Sequence, residues 1–366
     1  MSTRAEGGRT SLRFALQGSK FPLGVGLAIV LILVFSVAVH GAAGTGTEVV
    51  IGLQIGGTYA LIAVGYTMVY GIIELINFAH GDVFTLSAFY AIFIVGLSQR
   101  LNLPLNGLAT QHGLLGLVAA LLILIAITMV LAGLTGMLIE RVAYRRLRNS
   151  PRLAALITAI GMSFLLEGIM FAFFVPSSGI GGNFPTGDMD TWITGTAFTI
   201  GSGSGAVPVR WTDLFVILFA VLLMIGVQRF IKSSRLGKAM RASAQDRDAA
   251  QLSGINLNGT IAATFFIGSA LAAAAGVVYD THYHVIQWNL GYEFGIIAFT
   301  AAVLGGIGNI LGAGVGGFVI GLVAAFASYL IPNGGAWSDP IIFAILILIL
   351  TLRPTGLFGM QVADRA

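Results

Sequence analysis

Four polar residues fall within nine positions of an apolar stretch: Glu74, Asn77, His80 and Asp82, the last three inside NFAHGD (77–82). Ionisable groups near lipid are costly, so they face a cavity, a partner or an interface. Gly71 and Gly81 free the backbone for a helix break on either side. Two readings compete: a water-satisfied turn between spans, or a break that lines a translocation path or meets a partner subunit.

Glu167, in GMSFLLEGIMFAFF (161–174), stands apart from that cluster. It lies about 12 Å from the outer end of its apolar segment at the helical rise. A lone carboxylate at that depth needs a structural partner or a solute ammonium. The Gly-rich run 305–317, with Gly308, Asn309 and Gly312, contains Gly312-x-Gly314-x-x-Gly317. That spacing marks a dinucleotide site only between a strand and a helix. Apolar spans flank it here, so the alternatives are close helix packing or a broken helix whose N-terminal N–H groups face a cavity. His282 and His284 form H-x-H with no third ligand in view, which reads as interfacial polarity and not a metal site. There is no Cys, no H-E-x-x-H and no P-loop, so the sequence carries no enzyme motif and no nucleotide site of its own.

The elements that must position these groups are membrane spans. The chain has 366 residues, of which 57% are hydrophobic and 9% charged, with 50 Gly. Its mean hydropathy is +0.92. This is the composition of a polytopic, all-α membrane protein. Apolar segments at 21–39, 49–71, 83–98, 113–138, 153–175, 211–231, 258–279, 293–308, 312–331 and 340–352 give eight to ten spans, ten being the expectation. The third, eighth and tenth are short, as broken or re-entrant helices are. Residues 1–20 form an N-terminal tail, 21–352 the membrane domain and 353–366 a C-terminal tail. The segment 21–39 resembles a signal-peptide core but is long and without a cleavage site, so it reads as an uncleaved first span.

Charge placement orients the chain. Of 19 Lys and Arg, 17 fall in the tails, between the fourth and fifth spans, or after the sixth; Arg100 and Arg210 fall on the other side. By the positive-inside rule both termini are cytoplasmic, and 176–210 is the longest extracytoplasmic loop, placed to meet an external partner. Asp188, Asp190, Trp192 and Trp211 are its candidate contacts. The net charge of +4 therefore reflects loops, and nucleic acid is not an expected partner.

The cytoplasmic loop 232–257 concentrates charge in Lys232, Arg235, Lys238, Arg241, Asp246, Arg247 and Asp248. Its run 237–252 has no Pro and is followed by Gly254, a helix stop. It reads as a short amphipathic helix for another subunit to grip. DAAQLSG (248–254) is similar to the E-A-A-x-x-x-G loop by which ATP-binding-cassette importer permeases dock their ATPase, with Asp248 in place of Glu. GIIELINFAHGDVFTLSAFYA (71–91) and AFTAAVLGGIGNILGAGVGG (298–317) resemble the permease subunits of branched-chain amino-acid importers over about residues 49–358. Many members carry Lys where this chain has Ile297.

The resemblance implies a permease that binds no cofactor itself, with ATP and Mg held by two ATPase partners. It also implies a second, homologous permease subunit, a periplasmic binding protein and a lipid bilayer, the bacterial inner membrane. Asp246, Asp248, Ala249, Ala250 and Gly254 become the ATPase-coupling residues. Asn77, His80, Glu167, Gly308, Asn309 and Gly312 become pathway residues. Urea or a short amide is the alternative solute, and a stand-alone secondary transporter the alternative class.

Overall fold

The computed structural model describes residues 3–75, 77–148, 150–178, 183–185, 192–193, 195–201, 206–353 and 355–359. Asp188, Asp190 and the tail beyond 359 lie outside them.

Eight described helices are long and apolar enough to cross a membrane. The first, α1 (Thr3–Ile73), runs on from the expected tail and contains both of the first two apolar segments. They separate at Gly41, whose φ of 80° suits a residue without Cβ. Across it Ser36 and Thr45 share a hydroxyl–hydroxyl bond of 2.8 Å. Nine residues of straight helix would hold those hydroxyls about 13 Å apart. The two arms therefore fold back on each other.

After α1 come α2 (Ala79–Arg100), the short α3 (Leu105–Gln111), α4 (Gly113–Ile139) and α5 (Arg152–Ser178). Next are α6 (Trp211–Ser233), α7 (Arg235–Gln245), α8 (Arg247–Leu252) and α9 (Leu257–Tyr283). Last are α10 (Leu290–Gly305), α11 (Ile310–Leu330) and α12 (Gly334–Leu352). All ten expected apolar segments fall on helices. Only α10, at 16 residues, is shorter than a span. The helices α2 and α12, expected to be short, have 22 and 19 residues. Polar residues near their N-termini, His80 and Asp82 in the first turn of α2 and Ser338 and Asp339 in the second turn of α12, hid their true starts from a hydropathy reading.

The second arm of α1 packs with α2, α9, α10 and α11 as the buried centre, while α4, α5, α6 and α12 surround it. The centre is built from small residues. Gly52 and Gly56 meet the Leu322 and Phe318 backbone, where an added Cβ would stand 2.9 and 2.8 Å from the Cα atoms. Without hydrophobic drive between helices in lipid, such close approach supplies packing. The outer faces carry exposed Leu114, Leu122, Leu138, Phe164 and Phe173, as lipid solvates them.

The segment 176–210 carries three of four short strands, β1 (Asn183–Pro185), β2 (Thr196–Ile200) and β3 (Val207–Arg210). β2 pairs with β3, and β1 pairs with β4 (Val285–Gln287). Trp192 is not turned outward as the sequence suggested: it is buried, and Nε1 donates to Asn106 Oδ1 at 2.9 Å. Trp211 is exposed. His282 Nδ1 stands 3.5 Å from Asp213 Oδ1, an interfacial contact at this end of the bundle.

Candidate functional site

The charged loop forms two helices, where a single one was expected. Asp246 breaks the run with φ −157° and ψ 113°, then caps α8, its Oδ1 accepting the Asp248 and Ala249 N–H groups at 3.0 Å. Gly254, with φ 83°, ends the motif. Asp248 and Ala249 are exposed, but Ala250 is buried and faces the chain itself. The exposed apolar side chain here is one the sequence reading passed over: Leu252 is 91% exposed. Its signal was an apolar residue in a charged, water-facing loop.

From α8 the structure leads back to the membrane helices. Arg247 Nη2 donates to the Ile72 carbonyl at the end of α1 at 3.0 Å. A cavity of about 430 Å³ opens beside that contact, lined by Glu74, Arg148, Asp246 and Arg247 among others. A π-turn, Glu140–Tyr144, ends α4 here. It buries Glu140 completely, and Arg145 Nη2 pairs with that carboxylate at 2.9 Å while Arg148 also reaches it. The same turn sends the Tyr144 hydroxyl to Asn77 Oδ1 at 2.7 Å. Asn77 is thus a buried acceptor at the foot of the break.

The Gly-rich run sits at the same end. Gly306 and Gly308, with φ 103° and 92°, turn the chain between α10 and α11. Asn309 caps α11, accepting the Gly312 N–H at 3.1 Å and donating to the Phe358 carbonyl at 3.0 Å. Gly312 packs on Gly305, and Gly316 on Ala301. Helices on both sides confirm that the run is no dinucleotide fold. Gly308 lies beside Gly71 and helps line a cavity of about 90 Å³ with Met240 and Arg241.

The other break behaves differently. His80 does not lie at the level of Ile73, the end of α1. Its ring lies against Gly65, where an added Cβ would stand 2.5 Å from Nε2 and 2.9 Å from the Gly268 carbonyl. Gly65 is about 12 Å back along α1 from Ile73, and Gly268 about 16 Å into α9 from Leu257. Ser163, which donates to Asp82 Oδ2, is about 16 Å into α5 from Arg152. Three helices thus place the start of α2 near the middle of a ~30 Å hydrocarbon layer.

Around that start, Asp82, His80 and Tyr66 are 0%, 1% and 4% exposed. Tyr66 and His80 rings meet edge-on at 4.6 Å. Glu167 is half-buried one turn beyond Ser163 on α5, close enough for its charge to act on Asp82. It makes no salt bridge to a described residue. The structure therefore brings His80 and Glu167 towards Asp82, turns Asn77 away to Tyr144, and sets Gly308, Asn309 and Gly312 apart at the loop end. Tyr66 and Ser163 are members the sequence did not mark, since a lone hydroxyl in an apolar span has no pattern.

Residues 49–350 match the family model described as branched-chain amino acid transport system / permease component. The chain is 41% identical over 326 residues to the high-affinity branched-chain amino acid transport system permease protein BraD of Pseudomonas aeruginosa, covering 87% of this chain and 97% of that one. It is 39% identical over 314 residues to LivH of Salmonella typhimurium, of the same description, covering 86% and 95%. The ribose import permease protein RbsC of Escherichia coli is 25% identical over 299 residues, covering 80% and 81%. A multi-pass helical bundle of this size, matched over residues 49–350, belongs to the branched-chain amino acid transport permease family.

Proposed function

We propose that this permease moves branched-chain amino acids inward across the bacterial inner membrane, as one of two homologous permease subunits. Two ATP-binding-cassette ATPases hold ATP and Mg and dock on α7 and α8, and a periplasmic binding protein delivers the solute on the opposite face. The 17-to-2 division of Lys and Arg supports cytoplasmic termini.

The observation that carries this reading is the form of α8. It presents Asp248, Ala249 and the fully projecting Leu252 to solvent while Arg247 ties its other side to α1. An exposed apolar side chain ringed by charge suits insertion into a partner's cleft. Motion imposed on α8 passes through Arg247 to Ile72, four residues before Ile76 and the NFAHGD start. Asn77, His80, Glu167, Gly308, Asn309 and Gly312 then belong to the path or its frame.

The test is ATP-driven leucine uptake by the assembled system in proteoliposomes. Leu252→Asp or Ala249→Trp lowers ATPase association and uptake at least about tenfold, the scale of a lost interface anchor, and leaves the permease in the membrane. Undiminished uptake in both variants sinks the docking assignment. Ala250 is no probe of docking, because a larger residue there disturbs the chain's own packing first.

A further inference from the structure

The start of α2 leaves polar atoms without partners in the middle of the membrane. Asp82 Oδ1 receives no hydrogen bond, nor does His80 Nε2. Tyr66 Oη points towards the Gly81 amide without completing a bond. Buried polar groups are almost always satisfied, so three orphans in one place need a reason. They are also neighbours. Asp82 Oδ1 lies over Gly291 and Tyr66 Oη over Gly295, one turn further along α10, where an added Cβ would stand 2.7 and 3.2 Å away respectively.

Two of the groups there are carboxyls, Asp82 and Glu167, and among the described residues Ser163 is the side chain that donates to Asp82. No Lys or Arg occurs between Lys20 and Arg100, between Arg152 and Arg210, or between Arg247 and Arg353. The helices α2, α5, α9, α10 and α11 therefore bring no cation to mid-membrane. The first turn of α2 offers only a partial positive charge. The carboxylate is therefore relieved by a proton or by a cation that comes from outside the chain.

The cover over these groups is thin. Gly81 meets Gly295 backbone to backbone, an added Cβ standing 2.7 Å from its Cα, and Gly291 approaches Asp82 as closely. Further along the same contact Phe84 of α2 stacks on Phe294 of α10 at 5.3 Å, so the glycine end of the seam, where no side chain interlocks, is the end at which α2 and α10 can part. Parting them uncovers Asp82 Oδ1 and Tyr66 Oη together.

We propose that Asp82, with Tyr66 and Glu167 beside it, is a mid-membrane station for the ammonium group of the transported amino acid, closed in this structure by the α2–α10 glycine seam. The carboxylate accepts the ammonium, the Tyr66 hydroxyl completes its hydrogen bonding, and Ser163 fixes the Asp82 rotamer. This station rests on the reading of the chain as an amino-acid permease, and it names the group that path would grip.

The experiment separates the two. The full-length chain with its partner subunits is placed in lipid nanodiscs, and its thermal unfolding is followed against isopentylamine and, separately, against 3-methylbutanoate. The wild type is stabilised by the amine and not by the carboxylate. Asp82→Asn weakens the amine effect about tenfold or more, as loss of a charge-assisted hydrogen bond does. Tyr66→Phe weakens it about threefold, the scale of a neutral hydrogen bond. Should Asp82→Asn fail to assemble, Tyr66→Phe and Glu167→Gln decide by the same amine-to-carboxylate comparison. Equal response to amine and carboxylate, or an amine response unchanged in the variants, overturns the station. Leucine uptake by the wild type, measured in parallel, tests the permease reading alone.

Discussion

Helices α2 and α11 both begin after a break that carries an asparagine, yet their starts are built in opposite ways. Asn309 closes the first turn of α11, and its amide reaches on to Phe358. Phe78 holds the corresponding place before α2 and caps nothing, while Asn77 is turned away to Tyr144. A helix start leaves four N–H groups without partners of its own. At α11 the chain's side chains meet that need, at the loop end of the bundle. At α2 the first turn is buried near mid-membrane, with Asp82 and Tyr66 incompletely satisfied around it. The first start is architecture that holds α10 against α11. The second keeps polar groups in reserve, which is the property a transport path needs.

The largest effect expected from this contrast comes from a glycine at each start. Gly81→Val drives a side chain into the Gly291 and Gly295 backbone, which cannot give as a flexible side chain does. It should cost at or above the ~1–3 kcal/mol typical of overpacking, and leucine uptake should fall below about a tenth of wild type as the seam is wedged. An added Cβ at Gly308 meets nothing within 4 Å. Gly308→Ala therefore costs only the strain of its positive φ, about 1 kcal/mol, with uptake retained. Equal loss of uptake in the two variants, read beside their thermal midpoints, breaks the contrast.

Much of this was legible from the chain. Apolar segments located every long helix, because in a bilayer each span must be apolar along its length. The loop that carries α7 and α8 was visible as charge where charge is otherwise avoided. What could not be read was depth and direction. Asp82 looked like part of a loop because polar residues in sequence carry no sign of whether water or protein surrounds them. Only the contacts of His80 with Gly65 and of Asp82 with Ser163 lift the α2 start into the membrane. The burial of Ala250 and the exposure of Leu252 were not readable for a related reason: a six-residue helix has too few turns for its buried side to show as a pattern. Asp246, by contrast, was legible as a helix former but is the residue that divides α7 from α8.

An intermediate effect belongs to Asn77. Asn77→Ala removes the acceptor of the buried Tyr144 hydroxyl and leaves that donor unsatisfied beside Glu140 and its arginines. The expected destabilisation is about 1–3 kcal/mol. Tyr144→Phe in the same background should restore most of it, since deleting both partners leaves no orphan. A double variant as unstable as the sum of the singles shows that Asn77 acts on the path directly and not through Tyr144.

The smallest effect sharpens the comparison from the other side. Asn309→Ala removes the cap that accepts the Gly312 N–H and the bond to the Phe358 carbonyl. Loss of a cap typically costs about 1 kcal/mol, and the freed N–H belongs to Gly312, which is buried. Asn309→Asp or Asn309→Ser keeps a capping oxygen and should recover most of the loss, although neither replaces the donor to Phe358. Uptake should follow stability and nothing more, with the apparent affinity for leucine unchanged. A raised KM for leucine in Asn309→Ala, at a normal level of folded protein, would move this start from the frame into the path. It would also show that the two helix starts serve the solute alike.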